Sequence, residues 1–153
     1  MKNTKALKQS PLSIAESLCD YWSPRVIDQF EDCYIKVAKL KGSLTWHSHE
    51  FEDEVFFILK GYLELELKDE VIHLETGDSF VISAGVEHNP VAKEECLVML
   101  IEKKATLHTG NISHPQSKSI EAQLKPIVNR TTESFCSIPS NVKLNIKIAD
   151  AKN

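Results

Sequence analysis

The chain has 153 residues, a formal net charge of −4 and 26% charged residues, the size and balance of one ordinary globular domain. A mildly acidic chain without a basic block excludes a nucleic-acid binder, and no apolar run approaches the ~20 residues of a bilayer span. The lysine-bearing N-terminus lacks the continuous apolar core of a secretory signal. The expectation is therefore a cytoplasmic protein whose four cysteines, Cys19, Cys33, Cys96 and Cys136, are reduced.

Residues 1–10 are polar and read as a frayed start, and 11–20 as a helical turn or an irregular strand. Trp22-Ser23-Pro24-Arg25-Val26-Ile27 reads as extended, because the residue before a proline avoids the α region. From 33 to 101 short strand signals follow one another. They are Tyr34–Leu40, Leu44–His49, Val55–Leu59, Tyr62–Lys68, Val71–Leu74, Ser79–Ile82 and Cys96–Ile101. The Tyr62–Lys68 run alternates leucines with charges, the period of a half-buried strand. Strands of this length at this spacing predict an all-β sandwich or closed barrel. Glycine is scarce, at 42, 61, 77, 85 and 110 only, so each is expected where the backbone needs it. Beyond Gly110 the composition turns polar until Val142–Ile148, whose alternation predicts an edge strand.

His47 and His49 lie two apart on a predicted strand, so their imidazoles share a face. Glu54 opens the next strand, and His88 follows Gly85 in a turn-like stretch. Three imidazoles and one carboxylate suit a first-row divalent ion, Fe, Mn, Ni, Zn or Cu. Such ligands bind as neutral imidazoles, so the ion should leave as pH falls through the histidine range near ~6.5. His73, His108 and His114 lack this context and read as surface or turn histidines. Trp46 and Phe56 read as core aromatics, and Glu52 and Asp53 as solvated loop charges.

The stretch Gly42-Ser-Leu-Thr-Trp-His47-Ser-His49-Glu-Phe-Glu-Asp-Glu54, closing on Gly61, resembles the first cupin motif. Gly77 through Ser83-Ala84-Gly85-Val86-Glu87-His88 resembles the second, with Ser83 in the place of the usual proline and Ala92 where asparagine is common. Over residues 20–111 the chain is similar to small single-domain cupins of the mannose-6-phosphate-isomerase-like type. The resemblance implies a cupin jelly-roll β-barrel at 20–111, with an N-terminal extension at 1–19 and a C-terminal extension at 112–153. It also implies a metal held by His47, His49, Glu54 and His88 in the barrel mouth, and a homodimer. Two open positions on the ion would receive a small-molecule ligand.

Two functional classes follow. One is a metal-dependent isomerase or dioxygenase-like enzyme on a small carbonyl, sugar or enol substrate, with Glu54 as the catalytic base. The other is a non-catalytic module that binds a sugar or small effector. No Ser-His-Asp set and no phosphate-cradling loop competes with these readings.

Overall fold

The computed structural model describes residues 7–127. A short helix, α1 (Pro11–Ser17), comes first. Seven strands follow: β1 (Arg25–Phe30), β2 (Cys33–Ser43), β3 (Glu54–Lys60), β4 (Tyr62–Leu67), β5 (Val71–Glu75), β6 (Ser79–Ile82) and β7 (His88–Lys103). A one-turn helix, α2 (Ile120–Gln123), closes the described chain. Every pairing between these strands is antiparallel, along the path β1-β2-β7-β3-β6, with β4 joined to both β5 and β7. This is the all-β jelly-roll of the expectation.

The period-two patterns decide which side chains enter the barrel. Glu54, Phe56 and Ile58 of β3 point inward, as do Leu63 and Leu65 of β4 and Val98 and Leu100 of β7. The opposite face of β2 and β7 presents Val37 and Leu97 to α1, where Ala15 and Leu18 cover them. Two clusters thus exist: the barrel interior, and a smaller one under the N-terminal helix.

β7 is the central strand. It pairs with β2 along nearly its whole length, from Ser43↔Val91 to Cys33↔Lys103. On its other side β4 takes the first half and β3 the second. The ladder with β2 shifts between Leu40 and Gly42. Gly42 sits there at φ +85°, a region that glycine enters without strain. A bulge at this point lets the long β2–β7 ribbon bend. Glu54 pairs with Glu102 near the end of β7 and also meets the side chain of His88 at its beginning.

Three expectations need correction. Leu44–His49 is not a strand: β2 ends at Ser43, and only an isolated bridge joins His47 to His88. A ladder fails here because the loop from 44 to 53 has no continuous neighbour to pair with. His88 is not in a turn, since it opens the longest strand. Cys33 and Cys96 are free thiols, but Cys19 is disulfide-bonded. Cys136 and the expected edge strand Val142–Ile148 lie outside the described residues.

Leu65 has no exposed surface, whereas Val81 on the outer face of β6 is 52% exposed. Leu65→Ala should therefore cost about 2–5 kcal/mol and Val81→Ala less than about 0.5 kcal/mol. Urea denaturation of both variants would measure the difference. Equal losses would mean that the barrel interior is not the main core.

Candidate metal centre

The loop after β2 and the start of β7 are stitched together by their backbones. His47 N–H donates to the His88 carbonyl at 3.0 Å, and His88 N–H returns the bond to His47 at 2.9 Å. Gly85 N–H donates to the His49 carbonyl at 2.7 Å. Asp53 accepts from Ala84 N–H at 2.8 Å, so it anchors the turn rather than floating in solvent. These bonds fix the turn that a proline in place of Ser83 would otherwise stiffen. The result places His47, His49, Glu54 and His88 together, all buried, with one ligand atom from each lying within 4.8 Å of the others.

The ring nitrogens are sorted by their partners. His47 Nδ1 lies 2.8 Å from the Thr45 carbonyl and His88 Nδ1 lies 2.9 Å from that of Val86. A carbonyl only accepts, so both Nδ1 atoms carry the proton. In the neutral rings each Nε2 then presents a lone pair. His88 Nε2 faces Glu54 Oε2 at 3.4 Å, and His49 Nε2 faces the same oxygen at 3.3 Å. Neither contact has hydrogen-bond alignment. Both nitrogens and Oε2 are buried without a hydrogen-bond partner, as is His49 Nδ1. Buried polar atoms left unpaired are costly, and a neutral His88 Nε2 facing a carboxylate oxygen is relieved by a positive charge between them. This donor set of imidazole nitrogens and one carboxylate fits a divalent transition metal.

The electrostatics agree with that fit. Burial would push the Glu54 carboxyl up, but His49 and His88 in their protonated forms hold it well below the usual carboxylate range. Burial disfavours a charged His49, yet the Glu54 contact outweighs it and leaves His49 above its ordinary value. Burial drives His47 down to about 4, helped by His88. In the metal-free cluster the Glu54 charge thus favours the protonated form of His49.

Sequence reading missed three neighbours. Lys36 is wholly buried, and its Nζ lies 2.5 Å from Glu102 Oε1. Glu102 is in turn the cross-strand partner of Glu54. Burial and the Glu54 charge raise the Glu102 carboxyl to about 7, against the pull of Lys36. The third neighbour is His108, read from sequence as a surface or turn histidine. It instead lines a chamber with His47 and Glu54. Lys36 and Glu102 were detectable, because each falls in phase with apolar inward residues: Ala38 and Leu40, and Val98 and Leu100. Nothing in its spacing marked His108.

The remaining expectations divide. Phe56 is a core aromatic beside His88, with ring centroids 6.3 Å apart, but Trp46 is 43% exposed. His73 stacks on Tyr62, and His114 accepts from Gln116 N–H; both are local roles. The chamber next to the cluster is narrow, about 30 Å³ in volume, and is walled by Trp22, Leu44, Phe56 and Leu100 among others. Trp22 holds a left-handed backbone at φ 54°, fixed by its N–H on the Lys39 carbonyl and its indole N–H on that of Lys41. Among the described residues no helix is long and apolar enough to cross a membrane.

Lys36→Met removes the cation from a buried pair. At pH 8, where Glu102 is ionised, this should cost about 3–5 kcal/mol. At pH 6 Glu102 already holds its proton, so the cost should be smaller; the gap opens as pH rises through about 7. Adding Glu102→Gln should remove the pH dependence. Chemical denaturation at both pH values tests this, and a pH-independent loss would contradict it.

Comparison with known proteins places these features in a wider set. Residues 35–102 match the family model described as a cupin domain. A crystal structure of a cupin-2 domain containing protein from Shewanella frigidimarina NCIMB 400 is 45% identical, with a TM-score of 0.54. The match covers 55% of this chain and 82% of that one. Protein NMB1881 from Neisseria meningitidis shares the fold, with a TM-score of 0.59 at 24% identity over 63% of this chain and 99% of its own. The uncharacterized protein YdbB of Bacillus subtilis (strain 168) is 29% identical over 97 residues, 63% of this chain and 86% of that protein.

Proposed function

The chain belongs to the cupin family, and on that footing we propose that it holds one divalent transition-metal ion on His47, His49, Glu54 and His88. The ion would present its open positions to a small oxygen-bearing molecule. One observation supports this reading: His88 Nε2 and Glu54 Oε2, both acceptors in the neutral-histidine state, face each other 3.4 Å apart without a hydrogen bond between them. Bound there, the metal would act as a Lewis acid on a ligand carbonyl or enol oxygen. The chain's own residues would bind, orient and exclude water. Glu54 would be the carboxylate among the residues that hold the ion and the proton acceptor of the enzymatic reading.

The double substitution of His47 and His49 by alanine should abolish metal uptake measured by elemental analysis, while leaving the β-rich circular-dichroism spectrum in place. Full metal content in that variant would put the site elsewhere. Glu54→Gln keeps the size and an oxygen ligand but removes the base. If the protein is an enzyme of this kind, turnover should fall about 10²–10⁴-fold while metal is retained. Full turnover in that variant would leave the carboxylate a spectator.

The pH dependence follows from the unequal histidines. His49 sits above 6.5 and Glu54 below its ordinary range, so their contact stabilises the metal-free protein fully below pH 6.5. That stabilisation fades as pH rises through the folded-state value of His49. A metal ion must displace this proton. Binding near pH 6.5 should release protons, and fewer as pH rises. His47 adds its own competition only near about 4. Calorimetric titration with Zn²⁺ in buffers of different ionisation heat reads the proton count. No release at pH 6.5 would contradict the His49 assignment.

A further inference from the structure

After β7 the chain crosses the barrel mouth as a strap from Lys104 to Ser119. Gly110 passes so close to the HxH loop that a Cβ there would lie 2.0 Å from the Ser48 carbonyl oxygen. Thr109 is buried, and its hydroxyl donates to the Ile112 carbonyl at 2.7 Å. Lys118 N–H donates to His108 Nδ1 at 3.1 Å, closing the loop between the two residues.

That last bond decides the chemistry of His108. A backbone N–H only donates, so Nδ1 accepts, and in the neutral ring the proton sits on Nε2. Burial pushes His108 down to about 4, so the neutral ring is the working form. His47 is set the other way: its Nδ1 donates to the Thr45 carbonyl, and Nε2 carries the lone pair. The two rings line the same narrow chamber, and Glu54 is its third polar wall. Glu54 Oε2 has no hydrogen-bond partner, and among the described residues none engages His108 Nε2. One donor and two acceptors thus border one small space.

The size of that space decides what fits. The chamber has about 30 Å³ of room. A buried water needs about 10–15 Å³, so the space suits about one or two waters and is too small for a sugar or an aromatic ring. The other walls are hydrocarbon, apart from the Trp22 indole N–H, which is already given to the Lys41 carbonyl. A buried water is held where it makes about three hydrogen bonds. Here it would accept from His108 Nε2–H and donate to Glu54 and to His47 Nε2. We propose that the chamber is a site for a water-sized oxygen ligand, a water in the metal-free protein, and that His108 Nε2–H is the donor that positions it. The inference goes beyond the metal reading and requires no metal. With an ion on the cluster, the chamber would admit a water or hydroxide to this side of it, and an organic ligand would have to approach from elsewhere.

The test uses the full-length, chelator-treated protein, ¹⁵N-labelled at histidine for spectroscopy and crystallised for high-resolution diffraction, with ethylene glycol as the larger oxygen probe. Long-range ¹H–¹⁵N spectra should show His108 protonated at Nε2. The crystal should hold a water within hydrogen-bond distance of that nitrogen, and soaking in ethylene glycol should leave the water in place. His108→Phe keeps the ring bulk and removes the donor, so the water should be lost. His108→Gln restores a donor and should bring it back, a rescue that a merely space-filling ring would not show. A proton on Nδ1 overturns the proposal, as does a dry chamber in the wild type, a water retained in the Phe variant, or replacement of the water by ethylene glycol. If the Phe variant fails to fold, the tautomer and the wild-type water still decide. Adding Zn²⁺ separates the two readings. A chamber water without Zn²⁺ uptake sinks the metal alone, and Zn²⁺ uptake by a protein whose chamber is dry sinks this proposal alone.

Discussion

With its Nδ1–H donated to the Val86 carbonyl, the neutral ring of His88 turns a lone pair toward Glu54 Oε2, 3.4 Å away. Two buried acceptors held in this way repel each other unless a positive charge lies between them. The fold maintains the juxtaposition rather than relaxing it. The paired backbone bonds of His47 and His88, the Gly85–His49 bond and the Asp53–Ala84 bond all lock the loops that carry the rings. Such a constraint persists where the surrounding structure over-determines it, which is the pattern of a preorganised ligand site.

β7 makes the convergence possible. Its first residue supplies His88, and its second half lays Glu102 beside Glu54. The Glu102–Lys36 pair extends the charge arrangement into the barrel, so that a buried carboxylate next to Glu54 is itself neutralised. Metal ligands are commonly tuned by partners of this kind one step removed from the ion. The strap beyond β7 adds the remaining wall, with Gly110 against Ser48 and His108 facing the chamber.

Much of this was legible in the sequence. The alternation in Tyr62–Lys68 marks β4, and the spacing of His47, His49, Glu54 and His88 marks the cluster, because local periodicity and motif spacing survive into the fold. What was not legible depends on long-range geometry. Leu44–His49 has strand-like residues, but a strand needs a continuous partner, and the loop finds one only at His47. His88 looked like a turn residue because Gly85 precedes it, yet the bridge to His47 starts a strand there. His108 joins the site through a strap crossing set by Gly110, which no local pattern encodes. Lys36 and Glu102 lay in plain phase with the inward residues; a charge on an apolar face is the signal that would have found them.

The central claim is that the buried acceptors at the barrel mouth form one metal site with three imidazoles. X-ray absorption spectroscopy of the Zn²⁺- or Co²⁺-loaded protein counts them directly, through the outer-ring scattering of coordinated imidazole. One ion per chain, with three imidazoles and oxygen donors completing the shell, is the expected result. One imidazole or none on the ion, or sulfur in its first shell, would contradict it.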